Sequence, residues 1–267
     1  ILLNDETIWA RGPQGVMADD SFEHLEKVRT LEAEGKYEAA DAHFTKHIQA
    51  EHRPYSYQLL GNLSIEHTGH TKHTENPEVR KINRALDLAT GLATTRIELP
   101  ENTITRTLYA SAPDDVIVLH LAASKPKSLN LRLSLNHPGK VNVQTRDEDL
   151  VIDGVARRKV SQNADGTPDP DGTHFLGQVR IAEHDGTLTT TPDTLELKDA
   201  TEATILIAAA TNFNQANCDA PLPDGWQQRA TDLLDRAAAR DEQSLRRRAV
   251  ADHRQYFDRL AIELGET

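Results

Sequence analysis

His43 and His47 stand four residues apart, the spacing that puts two imidazoles on one face of a helix as a zinc-binding pair. No Glu follows His43 and no third ligand is evident, so the pair reads as solvated helix surface beside an apolar stripe. His67, His70 and His73 lie in a Thr/Gly-rich connection, where three imidazoles within seven residues suit a solvent-facing loop better than a transition-metal site. Asp165, Asp169 and Asp171 have the acid content of a calcium loop. Their spacing is wrong for an EF-hand and no Glu closes the loop, so a Pro/Gly turn is preferred, with a weak calcium site as the alternative. No metal or cofactor is expected. The opening residues Asn4, Asp5, Glu6, Thr7 and Trp9 offer another chemistry, because carboxylates and amides take hydroxyls while an indole face takes C–H surface. That mixture suits a sugar-facing rim, yet it also suits a buried interface loop, and composition alone favours the interface loop.

The elements that must position these groups are legible from periodicity. Ile1–Leu3 can continue a sheet, and Gly12-Pro13 turn the chain after Trp9. Asp20 and Glu23 have capping-box spacing; Phe22, Leu25, Val28 and Leu31 then recur at helical spacing until Gly35. Tyr37, Ala40, Phe44 and Ile48 stripe a second helix that Pro54 ends, so residues 20–52 are predicted to form a helical hairpin. From Gly61 to about Asn212, short runs rich in Val, Ile, Leu and Thr predict antiparallel strands. Thr94–Leu99, Asn130–Leu135 and Leu195–Leu197 alternate, whereas Val116–Ala122 and Thr204–Ala210 are apolar throughout and suit strands covered on both faces. Asp153-Gly154 and Asp185-Gly186 are predicted hairpin turns. A loop holding Cys218 precedes two helices, capped by Asp224 and Asp241, and a short strand at Ala261–Gly265.

Composition narrows the function classes. A net charge of −12 repels phosphates and argues against a nucleic-acid partner. The longest apolar runs fall far short of a membrane span, so no membrane partner is expected either. One cysteine, Cys218, leaves no internal disulfide and no thiolate zinc site. The compartment stays open: a chain that begins in mid-strand is compatible with an extracytoplasmic or secreted protein whose leader lies upstream. The Arg246-Arg247-Arg248 run is interleaved with Asp241, Glu242, Asp252 and Asp258, which points to a salt-bridged helix rather than a phosphate site.

Several stretches, in order, carry a resemblance. Leu3-Asn4-Asp5-Glu6-Thr7-Ile8-Trp9 with Gly12-Pro13 resembles the "LNEDTLWSGGP" run of glycoside hydrolase family 95, the α-L-fucosidase family, with Ala10-Arg11 departing from it. Glu34–Ala40 resembles its "EGKYxEA", and Ser56–Leu63 its "SYQPLGDL" with departures at Leu59 and Asn62. Leu86–Ala93, Thr105–Asp114 and Asp252–Leu260 are similar to further family stretches, the last with His253 in place of a usual Tyr.

The resemblance implies a mainly β fold, a large antiparallel super-sandwich with an inserted helical hairpin near the N-terminus and two C-terminal linker helices. Residues 1–222 would form the sandwich domain, and 223–267 would lead into an (α/α)6 catalytic barrel beyond the matched region. The chain is thus expected to be a piece of a larger inverting α-L-fucosidase and to be inactive on its own. Glycoside inversion needs an acid and a base about 6.5–9.5 Å apart. In the family these groups sit in the barrel, so no catalytic residue is carried over. Asn4, Asp5, Glu6, Thr7 and Trp9 are expected to face the barrel or its sugar entrance, and Asp258-Arg259 to be a docking pair. The barrel is the expected partner and carbohydrate a possible one. Two alternatives stand beside this reading: a stand-alone carbohydrate-binding or structural module, and a family member acting on an α-galactoside-type sugar.

Overall fold

Strands with leucine at every second position need one dry face, and strands apolar throughout need two. Both kinds are present, and together they build two antiparallel sheets. The computed structural model describes residues 1–10, 20–49, 56–68, 79–156, 172–217, 220–262 and 265. In chain order the strands are β1 (Leu2–Leu3), β2 (Gly61–His67), β3 (Lys81–Asp87), β4 (Leu92–Glu98), β5 (Thr103–Ser111), β6 (Val116–Ala123) and β7 (Leu129–Asn136). They continue as β8 (Val141–Arg146), β9 (Asp149–Val155), β10 (His174–His184), β11 (Thr187–Thr190), β12 (Thr194–Ala200) and β13 (Glu202–Thr211). Helices α1 (Ser21–Ala33) and α2 (Tyr37–His47) follow β1, and α3 (Gln228–Ala238) and α4 (Glu242–Phe257) follow β13. One sheet has five strands in the order β1-β2-β7-β12-β11; the other has eight, β3-β4-β5-β6-β13-β10-β9-β8.

The main core lies between the sheets. Leu129, Leu131, Leu133 and Leu135 of β7 and Leu195 and Leu197 of β12 meet Leu119, Leu121, Ile152, Phe175, Ile205 and Ile207 of the larger sheet. The outer face of that sheet carries a second core: Val118, Leu206, Ala208 and Ala210 pack against Ala230, Leu233, Leu234 and Ala237 of α3 and Leu245 of α4. Small Ala residues on both sides let the helix approach closely. The predicted mainly β super-sandwich with a hairpin near its start is therefore the fold observed. The two C-terminal helices are more than a connection, because they form the outer layer of the larger sheet.

A polar clamp secures that layer. The Arg180 guanidinium on β10 donates to both oxygens of the buried Asp149 carboxylate at 2.7 Å and to Asp235 of α3 at 2.7 Å. Gln178 donates to Asp149 at 2.6 Å and accepts from Thr231 of α3 at 3.1 Å. Hydrogen bonds donated to the Asp149 carboxylate outweigh desolvation and raise the Arg180 pKa, so the cation is permanent.

Several local expectations change. Asp20 does not cap α1: its backbone is not extended there, its side chain makes no cap hydrogen bond, and its carboxylate lies 3.4 Å from His24 Nε2 instead. Asp224 lies before the turn that leads into α3, whose N-terminal Gln227 also makes no side-chain cap. Asp241 does cap α4, accepting from the Ser244 N–H at 2.6 Å. Among the described residues the hairpin helices bury a narrow seam of Val28, Leu31, Ala40 and Ile48, and Phe22 and Tyr37 stand 84% and 70% exposed. α2 stops at His47, before the predicted end; Pro54, Gly12-Pro13, Cys218, His70, His73 and Asp165 to Asp171 lie outside the described residues. Ala261 and Ile262 form no strand, for they lie against no sheet edge.

Two turns also differ. Asp153-Gly154 lies inside β9, where a Cβ on Gly154 would come within 2.7 Å of Phe175 Cζ, so the glycine serves close packing. The true β8–β9 turn is Asp147-Glu148, with positive φ of 48° and 69° and no glycine. Asp185-Gly186 is a turn as predicted, but it carries the chain from β10 in one sheet to β11 in the other.

Leu133→Ala should lower the unfolding free energy by about 2–5 kcal/mol, and Asp149→Ala by about 3 kcal/mol because it strands the Arg180 charge. Urea denaturation followed by fluorescence measures both.

Candidate functional site

The opening loop is built from its own hydrogen bonds. Leu3 and Ile8 are buried at its two ends and fix its span. Between them, Asp5 Oδ1 accepts from the Thr7 N–H at 2.9 Å and from the Thr7 hydroxyl at 2.6 Å, and the Asp5 carbonyl accepts from the Ile8 N–H at 3.2 Å. Tyr57 donates its hydroxyl to the Asp5 carbonyl at 2.8 Å. The Trp9 indole donates to the Glu6 carbonyl at 2.9 Å and meets the Tyr57 ring edge-to-face, with centroids 5.4 Å apart. Desolvation, and then the Asp5 charge, raise the Tyr57 pKa and keep its hydroxyl a donor. On the far side the Trp9 carbonyl accepts from Thr173 N–H at 3.1 Å, beside Gly172, where a Cβ would come within 2.5 Å of that carbonyl.

Asn4, Asp5, Glu6 and Thr7 line one side of an open groove of about 580 Å³. Its floor is the outer half of β13, Ile207 to Thr211, and Arg229 of α3 stands on the opposite side. The Thr7 and Thr211 hydroxyls meet across it at 2.7 Å, and Arg229 is held by Asp115 at 2.8 Å. Asn4 and Glu6 are the exposed polar members of the rim. Of the five loop residues singled out by sequence, four share this groove, while Trp9 packs on Tyr57 instead. Tyr57, Thr211 and Arg229 were not singled out. Tyr57 lies in the Ser56–Leu63 stretch that carries the family resemblance, but only the fold brings it and Thr211 to the loop.

Asp258 and Arg259 lie away from the groove, at the exposed end of α4. Asp258 is the C-terminal cap residue and Arg259 lies over the Tyr256 ring, 5.0 Å from its centroid. His253 anchors this end, its Nε2 2.8 Å from the Leu88 carbonyl and its ring against Gly91. Around it Leu88, Tyr256, Phe257, Leu260 and Ile262 form an exposed apolar surface. At the other end of α4, Glu183 links Thr204 and the Glu242 N–H at 3.2 and 3.3 Å, while Glu242 binds Arg246 at 2.8 Å. Arg248 pairs with Asp114 at 3.1 Å, so two of the three consecutive arginines brace the fold.

The histidine pair on α2 gains a neighbour. His24 of α1 stacks on His47 with centroids 4.1 Å apart and places Nδ1 3.2 Å from His43 Nε2. Partial desolvation, and then repulsion from His24 and His43, lower the His47 pKa. His67 belongs elsewhere, with Nε2 2.6 Å from the Arg106 guanidinium.

The carboxylates with shifted pKa are structural anions. Hydrogen bonds from Thr90 and the Ala89 N–H hold Asp87 down, and Arg132 holds Glu196 down. The Thr201 hydroxyl and the Thr201 and Glu202 N–H groups hold Asp185 at about 2. Among the described residues, no helix is long and apolar enough to cross a membrane.

Comparison with known families settles what this architecture belongs to. The family model described as glycosyl hydrolase family 65, N-terminal domain, matches residues 1–216. The chain belongs to that family. It is thus the N-terminal domain type of a glycoside hydrolase, and the match covers the opening loop, hairpin and both sheets. Alpha-L-fucosidase 2 of Arabidopsis thaliana is 27% identical over 286 aligned residues, which cover 98% of this chain and 32% of the plant protein. The chain therefore spans about a third of that relative's length. Among solved structures, a candidate kojibiose phosphorylase from human microbiome aligns over 76% of this chain and 28% of its own, with a TM-score of 0.47 and 10% identity.

Asp185 supplies a pH test of the sheet crossover. Its folded pKa is depressed from 3.8 to about 2, so its contribution to stability is present above the unfolded value and is lost as pH falls through about 2. Urea midpoints measured from pH 5 downwards should fall more steeply for the native protein than for Asp185→Asn, which cannot titrate.

Proposed function

We propose that this chain is the non-catalytic N-terminal domain of an inverting α-L-fucosidase of family 95 type, bracing a C-terminal (α/α)6 barrel and walling part of its sugar entrance. The observation that carries this reading is the likeness to alpha-L-fucosidase 2 along 98% of this chain but only 32% of that protein. The family-95 wording at Leu3–Trp9, Glu34–Ala40 and Ser56–Leu63 points the same way. On this reading the sandwich domain covers residues 1–222, and α3 and α4 carry the chain from its outer face towards the barrel.

Two surfaces suit the barrel. One is the apolar end of α4 with Asp258 and Arg259, since an interface core needs aromatic and aliphatic groups with polar ones at its edge. The other is the opening loop, whose internal bonds make it a preorganised rim and leave Asn4 and Glu6 for hydroxyls or for barrel residues. An acidic surface with net charge −12 is compatible with neutral sugar and unsuited to nucleic acid.

Full-length protein should release p-nitrophenol from aryl α-L-fucoside, with inversion seen by proton NMR, and residues 1–267 alone should not. Turnover by the isolated chain, or hydrolysis of α-galactoside in preference to fucoside, would remove this assignment. Trp9→Ala should cost the full-length enzyme about 1 kcal/mol or more, roughly fivefold in kcat/KM or in the interdomain unfolding equilibrium. Steady-state kinetics and calorimetry read the two quantities.

A further inference from the structure

Three imidazoles meet where the hairpin helices face each other. His24 lies on α1 one turn after Asp20, and His43 and His47 lie one turn apart on α2, so an antiparallel pairing of two short helices brings all three together. Their ligating nitrogens all lie within 4.8 Å of one another, and His24 Nδ1 is 3.2 Å from His43 Nε2. Two nitrogens bound tetrahedrally to zinc at about 2.05 Å are about 3.3 Å apart, so that pair already has the required separation. The rings are clustered as well, with centroids at 5.1 Å (His24–His43), 4.1 Å (His24–His47) and 4.6 Å (His43–His47).

The outer nitrogen of His24 is also provided for. Asp20 Oδ2 lies 3.4 Å from His24 Nε2, on the opposite side of the ring from the Nδ1 that faces His43. A carboxylate on the distal N–H of a ligating histidine fixes its tautomer and orientation and raises its basicity. This is the place taken by the Asp20 side chain in preference to capping α1. All three rings are half-buried, which keeps one side of the cluster open to solvent and to an entering ion.

We infer that His24, His43 and His47 form a binding site for a borderline divalent transition metal of the zinc class, clipping α1 to α2, with Asp20 as the orienting partner of His24. Three neutral imidazoles exclude calcium and magnesium, which want oxygen ligands, and leave the fourth tetrahedral position to water. The hairpin has reason to need such a clip. Among the described residues its own core is the small cluster of buried Val28, Leu31, Ala40 and Ile48, separate from the two cores of the sandwich. Metal bound only by the folded hairpin would stabilise it directly.

The test is titration of chelator-treated full-length protein with Zn2+ alone, followed by calorimetry and by competition with a chromophoric chelator. One Zn2+ should bind with a Kd below about 10 μM. His24→Gln, His43→Gln and His47→Gln should each weaken it at least tenfold, Asp20→Asn by roughly tenfold, and His184→Gln, whose imidazole lies at the Gly186 carbonyl, should leave it unchanged. Zn2+ should raise the unfolding temperature of the native protein and of His184→Gln but not of His24→Gln, with circular dichroism confirming that each variant is folded without metal. A Kd above about 10 μM, or an affinity indifferent to His24→Gln, overturns the site.

Discussion

The structure depends on covering both faces of one strand. β13 alternates Ile205 and Ile207 towards the five-stranded sheet with Leu206, Ala208 and Ala210 towards α3 and α4, and it has no polar side to give to water. β6 beside it is in the same position, with Leu119 and Leu121 inward and Val116 and Val118 outward. A two-sheet sandwich satisfies only the inner face. The outer face therefore requires a helical layer, and α3 and α4 are held as parts of the folded body rather than as a loose connection.

Cover of this kind is apolar and would tolerate sliding, so polar contacts fix its register. Asp149, Arg180 and Asp235 join β9, β10 and α3, while Glu183 and Glu242 join β10 to the start of α4. Asp149 and Glu242 are buried and Arg180 is half-buried beside their partners, which makes a misplaced helix costly. With α4 aligned in this way, its far end is carried to the β3–β4 turn, where His253 meets Leu88 and the apolar residues from Tyr256 onwards are displayed. The position of a proposed interdomain surface thus follows from packing some distance from it.

The opening loop shows a different economy. Its charged and aromatic groups are satisfied mostly within the loop and by Tyr57, so it holds one shape with Asn4 and Glu6 presented outward. The Trp9 indole donates to the Glu6 carbonyl and packs edge-to-face on Tyr57, which braces the loop. The groove in front is shared with Thr211 and Arg229, which lie about two hundred residues away in sequence and come beside the loop where it meets the end of β13 and the start of α3.

Periodicity determined a good deal by itself. Alternation at Asn130–Leu135 and the unbroken apolar runs at Val116–Ala122 and Thr204–Ala210 were enough to imply sheets covered on one face or two, and Gly35 and Asp241 marked helix ends, because these signals are local. Signals that depend on what lies opposite were misread. Gly154 resembled a turn residue, yet it is needed because Phe175 lies against it; Asp20 resembled a cap, yet its carboxylate turns to His24. His43 and His47 showed two ligands in the sequence. Only the packing of α1 on α2 brought His24 as the third, since a ligand from another helix is set by the contact between helices and leaves no spacing for the sequence to show.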